Sequence, residues 1–181
     1  MTEYLMGENN SGNNLSWAIQ LAININDVMQ ADMSAYVWWT MVRYYGLIGD
    51  GTRAANPADP NESYPAKGEL TKKGFVMSQF SKFVRPGYFR VESTVVPFMA
   101  NSSVTGYKDP SSSKTVIITV NPGTDALEHA FRIGSEGAGS IFSAYTTSGS
   151  KNCDQRDPVT VLDDIFKYTL EPQSITTFVS E

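Results

Sequence analysis

The chain has 181 residues, of which 41% are hydrophobic and 12% aromatic, and its formal net charge is −5. This composition can bury a substantial core, but a barrel of eight alternating strands and helices usually needs about 250 residues, so a complete one is excluded. Lys and Arg are not clustered and no apolar run reaches about 18 residues, so neither nucleic acid nor a membrane is expected as a partner.

The first part of the chain follows the order strand, helix, strand. Met1 to Met6 is strand-like and has the character of an interior segment, and the polar loop Gly7 to Asn14 follows it. Ser16 offers an N-cap hydroxyl, and apolar side chains at helical spacing predict a helix from there to about Gln30. Ala35 to Met41 is a continuous apolar and aromatic run, which predicts a buried parallel strand. This order is typical of βαβ units.

A long loop and a second helix follow. The loop runs from Val42 to Lys73 and is rich in Gly and Pro. Loops of this length in compact domains are usually functional or disordered. Phe75 to Val84 has helical apolar spacing, and Pro86 with Gly87 ends that helix. We therefore predict two domains, residues 1–86 and residues 87–181.

The second predicted domain is a β-sandwich. Short alternating runs separated by Gly, Pro, Asn and Ser are typical of two packed antiparallel sheets. The predicted strands are Tyr88–Val91, Thr115–Val120, Ala126–Ile133, Gly139–Thr146, Ile165–Leu170 and Ser174–Val179.

Metal and cofactor chemistry find little support in the composition. Cys153 and His129 are each the only residue of their type, which excludes an internal disulfide, Cys/His zinc sites and histidine-based triads within this chain. Three acidic residues of the long loop, Asp59, Glu62 and Glu69, match no calcium-binding spacing and are expected to be solvated. We predict no metal and no cofactor.

Four stretches in the same order carry a resemblance to a known family. They are Met1-Thr-Glu-Tyr4, Ala35-Tyr-Val-Trp-Trp39, Gln79-Phe-Ser-Lys-Phe-Val-Arg-Pro-Gly-Tyr88 and Pro172-Gln-Ser-Ile-Thr-Thr-Phe178. Together they resemble glycoside hydrolase family 30, most closely its bacterial xylanase branch. The resemblance implies the C-terminal part of a (β/α)8 barrel, namely strands seven and eight, followed by a small β-sandwich side domain.

The resemblance also implies a catalytic residue. Glu3 occupies the family's nucleophile position, and barrel active sites lie at the C-terminal ends of strands, where Glu3 is expected. Retaining glycosidases use a second carboxyl group about 5–5.5 Å away as acid/base. The family carries that residue on strand four, which this chain does not contain. Without the resemblance, a Glu so near a terminus reads as a solvated surface charge.

Three further residues are implied to bind substrate. Because a strand alternates its faces, one of the paired tryptophans should point into the barrel mouth. The resemblance implies that a Trp here lines the sugar subsite, and we assign Trp39, while packing of both rings in the core is the alternative. Arg43 and Tyr45 match family positions that hold the glucuronate branch of xylan, although an Arg paired with a nearby acid is the plainer reading. Two other glucuronate contacts of the family are replaced here by Leu5 and Glu8. Strict dependence on glucuronate is therefore not expected.

The predicted function is that of a C-terminal fragment of a retaining endo-β-1,4-xylanase, inactive on its own, whose partner is a xylan-like polysaccharide. The resemblance implies a secreted protein, although no signal peptide is present in this sequence. Other family activities, such as glucosylceramidase or β-1,6-glucanase, remain alternatives. A non-catalytic carbohydrate-binding module centred on Tyr88–Glu181 is a further alternative, with Tyr88, Tyr107, Tyr145 or Tyr168 as its binding residues.

Overall fold

The computed structural model describes residues 5, 9–96, 103–112, 114–134 and 140–181. The chain divides into two compact units, residues 1–78 and 79–181, called here the first and second unit. The division falls between Ser78 and Gln79, eight residues before the position predicted from the sequence (86 against 78).

Helix α1 spans Leu15–Gln30 in the first unit. Its N-cap is Asn14, whose side-chain Oδ1 accepts from the Trp17 amide at 3.1 Å, rather than the predicted Ser16. The buried residues of the helix lie at helical spacing and are Ala18, Ile19, Leu21, Ala22, Ile25 and Asn26. Burial of this stripe, and not helix propensity alone, stabilises the helix.

The prediction of a buried strand at Ala35–Met41 is wrong. Only Trp38 of this run takes part in a β-bridge, and the rest is irregular. Val37, Trp39 and Met41 are 52%, 50% and 63% exposed. A parallel strand is buried only when neighbouring strands and helices cover it, and the described residues provide no such cover on this run. The other predicted barrel strand, at residues 1–6, lies outside the described residues except for Leu5.

Helix α2 spans Lys72–Ser81. It begins earlier than predicted because Thr71 caps it: Thr71 Oγ1 accepts from the Gly74 amide at 3.1 Å. After Ser81 the Val84 amide still bonds the Phe80 carbonyl at 2.8 Å, and Gly87 then adopts a φ of +97°. Among the described residues, neither helix has the length and apolar character that crossing a membrane requires.

The second unit is a β-sandwich, as the sequence predicted. Its described strands are β1 (Phe89–Val91), β2 (Ser103–Lys108), β3 (Thr115–Asn121), β4 (Leu127–Arg132), β5 (Ile141–Thr147), β6 (Asn152–Thr160), β7 (Ile165–Leu170) and β8 (Ser174–Ser180). Six of them form an antiparallel sheet in the order β1-β2-β3-β8-β5-β6, and β4 pairs with β7 in a second, two-stranded sheet.

The sandwich core lies between the two sheets. Its fully or nearly buried residues are Ile117, Phe131, Phe142, Ala144, Phe166, Leu170 and Phe178. The Phe131 and Phe166 rings stack with centroids 4.8 Å apart, and Phe178 packs against both. Rings from both sheets therefore meet in one cluster, the usual way in which a sandwich buries its apolar faces.

Two strands of the sandwich were not predicted. Strand β6 is mostly exposed and contains Pro158, and it lies at the edge of its sheet, where an exposed strand with a Pro is tolerated. Strand β2 contains Gly106, where a Cβ atom would lie 2.8 Å from Val91 Cγ2. Neither strand shows the simple alternation of apolar and polar residues on which the prediction depended.

Candidate active site

The assigned nucleophile, Glu3, lies outside the described residues, and so does Glu8. The loop that follows them is described from residue 9 onward and is fixed by Glu62. The Glu62 carboxylate accepts from the Ser11 amide at 2.7 Å and from Asn14 Nδ2 at 2.6 Å. Glu62 was expected to be solvated, and its structural role was missed because its partners lie some fifty residues away in sequence.

The paired tryptophans take different environments within the first unit. Trp38 is half-buried, and its ring lies 5.3 Å from the ammonium nitrogen of Lys73. Trp39 is 50% exposed, and the Trp39–Thr40 peptide bond is cis. The two rings therefore differ in accessibility, and Trp39 is the one that offers a free face in the described part of the chain.

Arg43 and Tyr45 are carried by one tight turn, residues 41–48. The Ile48 amide donates to the Met41 carbonyl at 2.8 Å, the Arg43 amide to the Ile48 carbonyl at 3.0 Å, and the Gly46 amide to the Arg43 carbonyl at 2.9 Å. A Cβ atom on Gly46 would lie 2.7 Å from the Thr40 carbonyl oxygen, so only glycine fits this turn without displacement.

The turn is anchored at two further points of the first unit. The Gly12 amide donates to the Tyr44 carbonyl at 2.7 Å, which joins the turn to the loop that follows Glu3 in sequence. Thr71 Oγ1 donates to the Gly46 carbonyl at 2.8 Å, and its amide donates to the Leu47 carbonyl at 3.0 Å. These bonds hold the backbone at Arg43 and Tyr45 in place from both sides.

The side chains of the turn form a short stack. The Arg43 guanidinium lies 5.5 Å from the Tyr44 ring centroid, and Tyr44 meets Tyr45 edge-on at 4.9 Å. Arg43 also pairs with Asp50 at 3.4 Å, which is the plainer interpretation weighed for it. The Arg43 side chain is 51% exposed, so this pair is weak and leaves guanidinium donors available.

The pKa of the Asp50 carboxyl is lowered although partial burial acts to raise it. Two hydrogen bonds from Thr52, at 2.9 Å from its amide and 2.7 Å from its hydroxyl, and the charge of Arg43 outweigh that burial. Asp50 is therefore ionised at neutral pH and competes with any external carboxylate for Arg43.

Lys73, on the first turn of α2, is a buried titratable group with a strongly lowered pKa. Its side chain is completely buried, and burial lowers its pKa from 10.5 to about 8, against the opposing effect of the Glu62 charge. Its Nζ donates to the Tyr45 carbonyl at 3.3 Å. The burial of Lys73 was not predicted, because the residue that accepts its hydrogen bond lies 28 residues away in sequence.

The structure thus places Arg43 and Tyr45 on one turn. Trp39 lies just before that turn in sequence, and the contacts of the described residues do not join it to Arg43 or Tyr45. Within the described ranges, no group of three or more His, Cys, Asp or Glu side chains is arranged to hold a metal ion. Tyr107, considered as a sugar-binding residue of the sandwich, is only 4% exposed and packs instead.

Several known xylanases are similar to this chain. No protein-family model matches the chain. Glucuronoxylanase XynC of Bacillus subtilis (strain 168) is 34% identical over 183 residues, which covers 99% of this chain and 38% of that protein.

Crystal structures of two family 30 xylanases match the chain along its whole length. The family 30 endoxylanase of Clostridium papyrosolvens has a TM-score of 0.80 at 30% identity, covering 100% of this chain and 41% of its own. The family 30 subfamily 8 xylanase Xyn30A of Clostridium acetobutylicum has a TM-score of 0.81 at 30% identity, covering 100% and 42%. The chain therefore spans less than half the length of these relatives, in their C-terminal portion. Over its whole length the chain is similar to the C-terminal portion of xylanases of glycoside hydrolase family 30, which confirms the resemblance carried by its sequence motifs.

Proposed function

We propose that this chain forms the C-terminal part of a secreted endo-β-1,4-xylanase that acts with retention of configuration. The observation that carries this proposal is its similarity, from end to end, to family 30 xylanases at 30% to 34% identity. The chain supplies the nucleophile, Glu3, and part of the sugar-binding edge. The acid/base carboxyl group comes from the N-terminal portion of the enzyme, which the relatives contain and which residues 1–181 do not span.

In the proposed reaction, the ionised carboxylate of Glu3 attacks the anomeric carbon of a xylose unit. The bond to the leaving sugar oxygen breaks as the acid/base residue protonates that oxygen, and a covalent glycosyl-enzyme forms. The same residue, now a carboxylate, then removes a proton from water. The water oxygen attacks the anomeric carbon and releases Glu3, so that two inversions give net retention.

The proposed sugar-binding edge consists of Trp39 and the turn at residues 41–48. Arg43 projects a half-exposed guanidinium suited to a carboxylate, and Tyr45 adds a phenol group. Trp39 offers a large exposed aromatic face on which a sugar ring can stack. Since Asp50 already pairs with Arg43 and Leu5 cannot donate a hydrogen bond, we propose that a glucuronate branch is tolerated but not required.

The exposed apolar residues of the first unit support the proposal that this unit is part of a barrel. Met33, Val37, Met41 and Val42 are each more than half exposed. Exposed apolar surface on this scale is a liability unless another part of the protein covers it. We expect the remaining barrel strands to do so, and we expect the isolated chain to hydrolyse xylan at no more than background rate.

The direct test is to join residues 1–181 to the remaining, N-terminal portion of the Bacillus subtilis glucuronoxylanase. We call this fusion the assembled enzyme. Expected results are endo-cleavage of linear xylo-oligosaccharides and of glucuronoxylan, with loss of activity in the Glu3→Gln variant. Because Glu8 is a second carboxylate in the same segment, Glu8→Gln is the matched control and should retain activity.

Different outcomes identify the alternatives. Hydrolysis of glucosylceramide or β-1,6-glucan in preference to xylan would replace the proposed substrate within the same family. An inactive assembled enzyme, together with glycan binding by the chain that survives Glu3→Gln, would favour the binding-module alternative. Clear xylan turnover by residues 1–181 alone, abolished by Glu3→Gln, would contradict the proposed need for a complete barrel.

A further inference from the structure

Lys73 is a buried charge for which the proposed reaction has no use. Its ammonium group is a strongly hydrated point charge with three donors, so complete burial disfavours it unless polar groups surround it. Apolar residues of similar length would fill the same position on α2 without this penalty. A position that keeps an unfavourable charge inside a fold is a candidate for a functional role.

The surroundings of Lys73 connect the parts of the proposed sugar-binding edge. Nζ donates to the main-chain carbonyl of Tyr45 at 3.3 Å and lies 5.3 Å from the Trp38 ring centroid. The first contact fixes the turn at residues 41–48, and the second is a cation–π contact with the residue next to Trp39. Two segments that otherwise belong to an irregular loop are thereby tied to the rigid start of a helix.

Glu62 links this arrangement to the loop that follows Glu3 in sequence. Its charge acts favourably on Lys73, while its oxygens hold the Ser11 amide and Asn14 Nδ2. The Lys73 main-chain amide itself donates to the Gly12 carbonyl at 3.1 Å. Lys73 and Glu62 therefore make polar contacts with three segments: residues 11–14, Trp38, and the turn at residues 41–48.

We propose that Lys73 is a positioning residue for saccharide binding, acting through the Trp38 ring and the Tyr45 main chain rather than by touching the sugar. This inference rests on the proposed function, since it concerns the placement of Trp39, Arg43 and Tyr45 at the same edge. It predicts a dissociation of effects: removal of the ammonium leaves the fold as stable or more stable, yet weakens substrate binding.

The test uses the assembled enzyme with Lys73→Met, Lys73→Arg and the control Lys72→Met. Lys72 is the preceding residue on the same helix turn and loses the same charge. For Lys73→Met we expect KM for xylotetraose to rise roughly tenfold with kcat changed by less than about twofold, the pattern of lost binding and not of lost chemistry. Lys73→Arg, which keeps a buried donor cation, should recover most of the loss, and Lys72→Met should match the wild type.

A spectroscopic measurement keeps the inference testable whether or not the assembled enzyme is active. With 5-fluorotryptophan incorporated, the ¹⁹F resonance of Trp38, assigned by Trp38→Phe, should shift in Lys73→Met and stay near its wild-type position in Lys72→Met. Amide exchange at Gly46 and Ile48 should accelerate in Lys73→Met while exchange in α1 is unchanged.

Each result has a defined meaning. Unchanged KM in an active Lys73→Met enzyme overturns the inference, and so does an unchanged Trp38 resonance with unchanged exchange in the turn. A global loss of stability in Lys73→Met, with Lys73→Arg no better, would make Lys73 a structural residue only. An inactive wild-type assembled enzyme overturns the proposed function, whereas the Trp38 signal still decides whether Lys73 positions this edge.

Discussion

The two units of the chain differ in what holds their residues in place. In the second unit, aromatic rings from both sheets meet in a closed core, where Phe178, at 0% exposure, packs against the stacked rings of Phe131 and Phe166. In the first unit, the apolar side chains that are half or more exposed include Met33, Val37, Trp39, Met41 and Val42. Its loops are instead held by hydrogen bonds made by the side chains of Glu62, Thr71 and Lys73.

Because of this difference, we expect a substitution in the sandwich core to lower the stability of the whole second unit, and a substitution in the loops of the first unit to act locally. A closed apolar core is lost as a unit, so truncating one ring should lower the stability of the whole sandwich. A side-chain hydrogen bond between loops stabilises only a few residues, so breaking one should open that segment and leave the rest folded. The site proposed for saccharide binding lies in loops held by such hydrogen bonds, and binding residues are commonly found on loops.

The largest expected effect is in the sandwich core. Phe178→Ala removes a ring that packs against three other aromatic residues, and should lower the free energy of unfolding of the second unit by about 3–5 kcal/mol. The measurement is urea denaturation followed by circular dichroism. Leu162→Ala, at a side chain that is 71% exposed, is the control and should change little. Equal effects of the two substitutions would mean that the core is not closed as described.

The second effect concerns the pH dependence caused by Lys73, whose pKa is about 8 in the fold and 10.5 when unfolded. Between these values the unfolded chain binds more protons, so this group makes stability rise with pH from about 8 to 10.5. At pH 7 its burial costs roughly 3 kcal/mol, at 1.36 kcal/mol per pKa unit.

Lys73→Met removes this cost. Its stability advantage over the wild type should therefore be largest at pH 7 and should shrink toward pH 10, as measured by urea unfolding at a series of pH values. A Lys73→Met variant that is less stable than the wild type at pH 7, or a difference independent of pH, would contradict the buried-charge interpretation.

The third effect is local. Glu62→Gln weakens two charge-assisted hydrogen bonds, to Ser11 and Asn14, each worth about 1.5–3 kcal/mol before compensation. Hydrogen exchange at the Ser11 amide should accelerate by roughly tenfold or more, while exchange in β3 and β8 is unchanged. Glu128→Gln, at an exposed position on β4, serves as control. Faster exchange throughout the chain would show that the first unit opens as a whole.

The smallest effect is expected at the surface pair of the turn. Asp50→Asn breaks the 3.4 Å ion pair with Arg43, whose side chain is half exposed, and should cost less than about 1 kcal/mol of stability. Because Arg43 is then released, KM of the assembled enzyme for glucuronate-bearing xylo-oligosaccharides should fall, while KM for unbranched ones should not. A lower KM for both substrates would argue against carboxylate recognition by Arg43.

Much of the sandwich could be predicted because its strands are short apolar or β-branched runs bounded by turn residues. Strands β5 and β7 carry core residues at a two-residue period, as with Phe142 and Ala144 on β5, whereas β3 and β8 are buried at nearly every position. Strand β6 escaped prediction because an edge strand needs no buried face, and β2 because Gly106 breaks the pattern. These misses follow from sheet position, which a local pattern does not contain.

In the first unit, local patterns predicted α1 but not its surroundings. The run at residues 35–41 has the composition of a buried strand, yet burial depends on covering partners that a local window cannot show. Arg43 and Tyr45 could be proposed only from the family resemblance. Lys73 and Glu62 could not be proposed at all, because their partners lie 28 and 51 residues away in sequence.

The most direct test of the central claim is to trap the glycosyl-enzyme. The assembled enzyme is treated with a 2-deoxy-2-fluoro-β-xylobioside that carries an activated leaving group, and the labelled peptide is identified by mass spectrometry. We expect one xylobiosyl adduct, located on Glu3 and absent in Glu3→Gln. A label on another carboxylate, such as Glu8, or hydrolysis of xylan without any adduct, would contradict the assignment of Glu3 as the nucleophile of a retaining xylanase.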